Sequence, residues 1–100
     1  MKIIINNAKL CKLYETVAPN NKYNFPLSVI WDVIDTLQFI QNAENITIVK
    51  LHPNFRYHSL KGDKQGTDAI SINNQGYRME LEVVDAHNVI IKDVSLHYGD

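Results

Sequence analysis

Cysteine and long apolar runs are scarce in this sequence of 100 residues. The single cysteine, Cys11, cannot form a disulfide within the chain, so a disulfide-stapled fold is excluded. No stretch reaches the ~20 apolar residues that a transmembrane helix needs, and the first residues lack the apolar segment of a signal peptide. We therefore expect a soluble protein of the reducing cytoplasm that has no membrane partner. In that setting Cys11 is expected to be a small buried apolar residue.

The sequence also lacks an excess of positive charge. Ten Lys and Arg residues stand against eleven Asp and Glu residues, which gives a formal net charge of −1 at pH 7. A protein that binds nucleic acid through its overall field usually carries a surplus of Lys and Arg. Any binding of RNA must therefore depend on a local basic patch, and the salt-dependent attraction to phosphates should be weak.

Sequence motifs for metal ions, phosphate loops and hydrolase nucleophiles are absent as well. The four histidines have no close paired spacing, and the lone cysteine adds no ligand to them. There is no Gly-rich phosphate loop, no nucleophile elbow and no pair of catalytic carboxylates. We therefore expect neither a metal ion nor a cofactor.

The composition that remains is ordinary for a folded domain. Hydrophobic residues make up 45% of the chain and charged residues 21%, as in typical soluble globular proteins. One hundred residues suffice for one hydrophobic core but not for two. We therefore expect a single domain over residues 1–100, without repeats or linkers.

Hydrophobic periodicity predicts two helices in the first half of the chain. After a short β-branched strand at 3–5, a helix is expected over about 8–17, with Asn7 as its cap. A longer helix is expected over about 26–42, because apolar residues recur there at intervals of three and four. Trp31 belongs to this apolar pattern, so it is expected to lie in the core.

Alternation of apolar and polar residues predicts a sheet in the second half of the chain. Residues 46–51 are either a strand or an extended connector. The expected strands that follow, joined by short turns, cover residues 56–60, 69–72, 77–83 and 89–94. Helices that precede a run of strands joined by hairpins indicate an α+β fold, in which two N-terminal helices pack on one face of a mainly antiparallel sheet.

A glycine-bounded turn and a nearby strand carry several basic side chains. Gly62 and Gly66 bracket a turn that contains Lys64 and is preceded by Lys61. Arg78 is expected to point to the opposite face of its strand from its apolar neighbours. The fold would then place these three basic residues near the ends of adjoining strands, as an anion-binding concavity requires.

Three short patterns resemble a known family. Residues 56–63 read Arg-Tyr-His-Ser-Leu-Lys-Gly-Asp, residues 77–78 read Tyr-Arg, and residues 93–98 read Asp-Val-Ser-Leu-His-Tyr. They resemble the Arg-x-His-x-Leu-Lys-Gly-Asp block, the aromatic-arginine pair and the final Asp and His-Tyr of RelE/HigB-type toxins, the plasmid-maintenance killer proteins of bacterial type II toxin–antitoxin systems. The order of helices and strands is similar too, so the resemblance implies a RelE-like fold over nearly the whole chain.

The resemblance implies a ribosome-dependent mRNA endonuclease that inhibits translation and needs no metal ion. Its partners would be the ribosome, mRNA and a small helix-turn-helix antitoxin, with which it could form a toxin–antitoxin oligomer. Such enzymes drive the 2′-hydroxyl group of RNA onto the adjacent phosphate. This reaction requires proton transfer and positive charge beside the phosphate.

Basic residues of the matched patterns would bind the RNA backbone. Arg78 suits the phosphate, because its guanidinium can donate to two oxygens at once. Lys61 and Lys64 would add positive potential, and Arg56 is a further candidate for binding RNA.

The remaining candidates would act in proton transfer. His58 and His97 are the expected proton-transfer groups, because imidazole titrates near neutral pH. Asp93 would orient a histidine, and Tyr98 would donate a hydrogen bond or stack on a base. Which histidine is the acid and which is the base stays open.

Several of the candidate residues also have an interpretation without catalysis. His58 would then be an exposed residue at a strand end, and His97 a solvated residue near the C-terminus. Lys61 and Lys64 would then be ordinary solvent-exposed turn residues. Arg78 would pair with Glu80, two positions along the same strand face, and such a pair contributes little when it is exposed.

Two departures from the family pattern support rival hypotheses. No Lys or Arg occurs in residues 24–48, where family members often present basic side chains to the ribosome. Glu80 and Glu82 follow Arg78 on the same face of the predicted strand, and they are expected to offset its positive charge. The alternative is therefore a weak or inactive homologue that only binds an antitoxin, and a third possibility is an unrelated α+β domain. Asp32 and Asp35 are expected on a solvated helix face, although an acidic face also suits a basic partner.

Overall fold

The computed structural model of the protein describes residues 1–16, 25–73 and 76–96. In these residues the chain forms five β-strands, three α-helices and one short 3₁₀ helix. None of these helices is long and apolar enough to cross a lipid bilayer. The strands are β1 (Lys2–Ile5), β2 (His58–Ser59), β3 (Asp68–Ile72), β4 (Tyr77–Asp85) and β5 (Asn88–Leu96). The α-helices are α1 (Ala8–Thr16), α2 (Leu27–Asn42) and α3 (Ile46–Lys50), and the 3₁₀ helix covers Gly62–Lys64.

The five strands form one sheet in the order β1-β5-β4-β3-β2. β1 runs parallel to β5, whereas the other neighbouring strands are antiparallel. An antiparallel pair can be closed by a short turn, but a parallel pair needs a long crossover, and here the helices and the other strands lie between β1 and β5 in the chain. The predicted α+β class with a mainly antiparallel sheet is confirmed.

An apolar core lies between the α-helices and one face of the sheet. α1 contributes Leu10 and Leu13, α3 contributes Val49, and β4 contributes Met79 and Leu81. In α2 the buried apolar residues recur every three or four positions, which gives that helix a continuous apolar stripe. Because side chains alternate along a strand, the residues between the core positions face the other way. We call that second side of the sheet the open face.

The segment 46–51 is mostly helical, so the prediction of a strand or an extended connector there was wrong. The side-chain oxygen of Asn45 accepts a hydrogen bond from the backbone N–H of Thr47 at 2.9 Å, which caps the start of α3. Ile46 and Val49 are both buried. Residues three apart share one side of a helix but lie on opposite faces of a strand, so burying both favours the helix.

The strand predicted at 56–60 is shorter in the structure. Arg56 has a φ of 47°, and this left-handed conformation interrupts an extended chain. Only His58 and Ser59 pair with β3. The strands predicted over 69–72, 77–83 and 89–94 are present with slightly longer bounds. The two predicted helices are also present: the second begins one residue later than predicted, and residue 17 of the first lies outside the described residues.

Two expected core residues are not in the core. Trp31 is 42% exposed, because the buried stripe of α2 runs through Ile30 and Ile34 and Trp31 lies about 100° around the helix from Ile30. Cys11 is partly exposed, and its Sγ lies 3.5 Å from a carboxylate oxygen of Glu15. That hydrogen bond raises the pKa of the Cys11 thiol, as do the lesser effects of desolvation and of the Glu15 charge, so the thiol is a poor nucleophile.

Candidate functional site

The glycine-bounded turn between β2 and β3 has the conformation that its sequence requires. Gly62 and Gly66 have φ values of 71° and 92°, a region that favours glycine. Inside the turn, the N–H of Gln65 donates to the carbonyl of Gly62 at 3.1 Å, and the N–H of Thr67 donates to the carbonyl of Lys64 at 3.0 Å. These bonds fix the backbone from which Lys64 reaches the sheet.

Lys64 and Arg78 bind the same carboxylate, that of Glu80. The Nζ of Lys64 donates to both carboxylate oxygens of Glu80, at 3.0 and 2.8 Å. The Nε and Nη2 of Arg78 lie 3.1 and 3.0 Å from Oε2 of Glu80. We call these three residues the Glu80 cluster. Two cations and one anion give the cluster a net charge of +1.

Burial differs sharply within the Glu80 cluster. The side chain of Lys64 is 50% exposed, whereas that of Glu80 is only 8% exposed, and Arg78 is also nearly buried. Burial alone would raise the pKa of Glu80, but the hydrogen bonds and positive charges of Lys64 and Arg78 outweigh it and hold the pKa below its ordinary value. The carboxylate is therefore ionised at neutral pH and keeps both cations in place.

Strand pairing aligns other candidate residues with this cluster. His58 pairs with Ala69, Ala69 with Glu80, and Glu80 with Asp93. Residues directly opposite each other on neighbouring strands share a face of the sheet, so His58, Glu80 and Asp93 form one row on the open face. Adjacent strands lie ~4.8 Å apart, which places His58 roughly 10 Å from Glu80 across the sheet.

The histidine and the aspartate of this row have different partners. His58 is exposed, and its Nδ1 lies 2.9 Å from the backbone carbonyl of Arg56, which holds the ring against its own turn. Asp93 accepts a hydrogen bond from the side-chain amide of Asn7 at 3.2 Å. The proposed partner of Asp93, His97, lies outside the described residues, as does Tyr98.

The other two basic candidates are exposed and lie near β2. Arg56 precedes the strand, and Lys61 follows it at the start of the 3₁₀ helix. Lys61 lines a cavity of about 450 Å³ beneath the glycine-bounded turn, together with Ser59, Gln65 and the two turn glycines. The structure thus links Lys64 to Arg78 through the carboxylate of Glu80 and places His58 and Asp93 in the row of Glu80. Arg56 and Lys61 lie at the margin.

Sequence reasoning underestimated Glu80. The alternation along β4 places it with Arg78, but its link to Lys64, sixteen residues earlier, depends on the conformation of the turn. A second long-range contact was also missed: the hydroxyl of Tyr57 donates to Asp68 at 2.5 Å. Burial raises the pKa of Tyr57, and that hydrogen bond raises it further, so Tyr57 is a structural donor at neutral pH.

In the described part of the chain, no group of three or more His, Cys, Asp or Glu residues lies close enough together to bind a metal ion.

Lys92 forms a second set of polar contacts on the open face. Its Nζ donates to the hydroxyl of Thr67 at 2.8 Å and lies 3.4 Å from a carboxylate oxygen of Glu82.

Comparisons with known proteins define the fold. No protein-family model and no curated protein matches the chain. Among solved structures, the conserved hypothetical protein HP0894 from Helicobacter pylori has a TM-score of 0.61 and 22% sequence identity, over 97% of this chain and 94% of that one.

Two structures of YafQ from E. coli are also similar. The protein from strain BL21(DE3) has a TM-score of 0.54 at 11% identity, and a histidine-to-glutamine mutant has a TM-score of 0.53 at 12% identity. Each alignment covers 98% of both chains. The chain has the RelE/YafQ-like fold. The family resemblance that the sequence motifs indicated is thereby confirmed at the level of the fold.

Proposed function

We propose that the protein is the toxin of a type II toxin–antitoxin system and cleaves translated mRNA on the ribosome in the cytoplasm. The observation that carries this proposal is the Glu80 cluster, in which Lys64 and Arg78 both bind Glu80 on the open face, in the same row as His58. The fold supports the proposal because YafQ, a RelE-family toxin, shares it. The motif at 56–63 supports it independently.

The proposed reaction forms a bond between the 2′-oxygen and phosphorus and breaks the bond to the 5′-oxygen. The 2′-hydroxyl loses a proton, the leaving oxygen gains one, and negative charge grows on the phosphate oxygens. Arg78 and Lys64 would stabilise that charge. The local concentration of two cations in the cluster supports phosphate binding at this place, although the whole chain has a net charge of −1.

Proton transfer would involve the two histidines of the matched motifs. His58 is exposed on the open face, in the same row as Glu80. His97 would be the second group, Asp93 would orient it, and Tyr98 would stack on a base. Basic residues at the margin of the site, Arg56 and Lys61, would hold the flanking phosphates.

The test is inducible expression with mapping of RNA ends. Expression of the unaltered protein should stop growth and cleave translated messages. Arg78→Lys keeps the charge but loses the bidentate fork, so we expect its cleavage rate to fall by about 100-fold. Lys92→Ala is the matched control, because it removes a cation of the same sheet face outside the cluster. If the unaltered protein neither slows growth nor cleaves RNA, the nuclease proposal is wrong.

A protein that only binds an antitoxin is the second candidate function. The observation that favours it is that Glu80 already binds Arg78, which reduces the charge available to a phosphate. On this alternative, expression leaves growth unchanged, yet the protein still forms a complex or a larger oligomer with a small helix-turn-helix protein encoded by the adjoining gene. Co-purification with that protein is expected for both functions, so growth and RNA cleavage during expression of the protein alone separate them.

A further inference from the structure

A second cavity, of about 390 Å³, contains no residue of the Glu80 cluster. It lies between α2, the segment 52–55 and the end of β3. Its lining combines the carboxylates of Asp32 and Asp35 with the rings of Phe39, His52 and Phe55. Its volume is within the range of small-ligand sites in proteins, about 300–1,000 Å³.

The three rings form one rigid wall of this cavity. His52 stacks on Phe55 with ring centroids 4.0 Å apart and an interplanar angle of 13°. Phe39 meets His52 edge-on at 4.9 Å and Phe55 edge-on at 5.3 Å. Aromatic groups packed in this way have few conformations left to lose, so a ligand that contacts them orders little of the protein.

The two carboxylates give the cavity its charge. Asp32 accepts a hydrogen bond from the backbone N–H of Asn73 at 2.5 Å, which fixes its direction. Asp35 lies nearly one helical turn further along α2 and is exposed. Burial raises the pKa of Asp32, the hydrogen bond from Asn73 opposes that rise, and the negative charge of Asp35 adds to it. A bound cation would relieve the repulsion between the two carboxylates.

An exposed apolar stripe leads along α2 to this cavity. Leu27 and Trp31 are 58% and 42% exposed, and Asp35 follows Trp31 at the same spacing of four residues. Residues four apart are neighbours on one side of a helix, so Trp31 is the neighbour of Asp35, which lines the cavity. An exposed tryptophan next to a charged pocket is typical of surfaces that bind another protein.

We infer that this cavity binds the arginine side chain of a partner protein, and that an apolar residue of the same partner packs on Leu27 and Trp31. The guanidinium group is planar, it stacks on aromatic rings, and it donates to carboxylates in pairs, whereas an ammonium group is a compact, strongly hydrated charge. This site is separate from the proposed nuclease chemistry, and neither depends on the other.

The test uses acetyl-arginine amide as the probe and acetyl-citrulline amide, its neutral isostere, as the control. Binding to the whole protein is followed by NMR shifts of the Asp32 and Asn73 amides and by the fluorescence of Trp31, which is the only tryptophan in the chain. We expect saturable shifts with the arginine probe alone. Asp35→Asn should weaken binding at least about fivefold, whereas Glu44→Gln, which removes an exposed charge near the end of α2, should change it less than about twofold.

A tripeptide of leucine, alanine and arginine tests whether the bound arginine belongs to a polypeptide that also packs an apolar residue on Leu27 and Trp31. It should bind at least about threefold more tightly than the arginine probe, and Trp31→Ala should abolish that gain. Equal shifts with citrulline, or unchanged binding by Asp35→Asn, would overturn the arginine site. Equal affinity for the tripeptide and the single residue would overturn the assignment to a partner protein. Each of these measurements is independent of growth arrest and RNA cleavage.

Discussion

The two faces of the sheet are built from different interactions. On the face covered by the α-helices, side chains such as Leu37 and Met79 are fully buried among apolar neighbours. On the open face, the nearly buried carboxylate of Glu80 is compensated by two cations. Apolar burial stabilises a fold in proportion to area, whereas the cost of desolvation cancels most of the attraction in a buried ion pair. We infer that the covered face stabilises the fold and that the open face serves binding.

The largest effect is expected on the covered face. Leu37→Ala removes a side chain that is fully buried in the core, so it should lower the free energy of unfolding by about 3 kcal/mol through lost burial and the cavity left behind. Urea unfolding followed by circular dichroism measures this. Leu51→Ala is the control, since Leu51 is exposed and the change should stay within about 0.5 kcal/mol. Equal effects of the two substitutions would contradict this account of the core.

The covered face was also the part that the sequence predicted well. Apolar periods of two and of three to four residues identified α2 and most of β3, β4 and β5, because burial of one side of each element imposes those periods. Apolar periodicity did not predict the secondary structure where a helix cap or a single backbone conformation determines it. The cap at Asn45 starts the helix α3 in place of an extended segment, and the left-handed Arg56 shortens β2. Trp31 lies at the margin of the apolar stripe, where periodicity does not specify burial.

The open face was only partly predictable. Alternation along β4 placed Arg78 and Glu80 on one face, and the register follows from short antiparallel connections. The contact of Lys64 with Glu80 depends on a turn whose three-dimensional path the sequence does not specify. The pairing of Asp32 with the backbone of Asn73 spans forty-one residues, and no local pattern reports such a contact. Sequence reasoning therefore found the residue types of the site and the pairing of Arg78 with Glu80, but not the contacts of Lys64 and Asp32.

Substitutions in the Glu80 cluster test whether the open face is built for stability. Glu80→Ala removes the carboxylate between two cations, so we expect the free energy of unfolding to fall by about 2 kcal/mol. The double substitution Arg78→Met with Glu80→Leu replaces the buried pair by apolar groups, and it should unfold within about 1 kcal/mol of the unaltered protein. A loss from the double variant as large as that from Leu37→Ala would mean that both faces stabilise the fold alike.

The contribution of Glu80 to the free energy of unfolding should depend on pH. Because the pKa of Glu80 is lowered in the folded state, the ionised carboxylate adds stability above its unfolded pKa of about 4.5. That contribution is lost as the pH falls below this value and through the folded-state pKa. Glu80→Gln removes this proton linkage, so the difference in unfolding free energy between the unaltered protein and Glu80→Gln should shrink as the pH falls from about 6 to about 3. Urea unfolding at several pH values measures it, and a constant difference would contradict the lowered pKa.

The smallest effect is expected from the exposed pair on the open face. Lys92 lies 3.4 Å from a carboxylate oxygen of Glu82, and both side chains are partly exposed to solvent, where water screens their attraction. Lys92→Ala should therefore change the free energy of unfolding by less than about 1 kcal/mol, and added salt should reduce the change further. A loss near that of Glu80→Ala would show that the hydrogen bond from Lys92 to Thr67 matters more than the ion pair. Thr67→Val, which removes the acceptor hydroxyl but leaves Glu82 in place, distinguishes the two interactions.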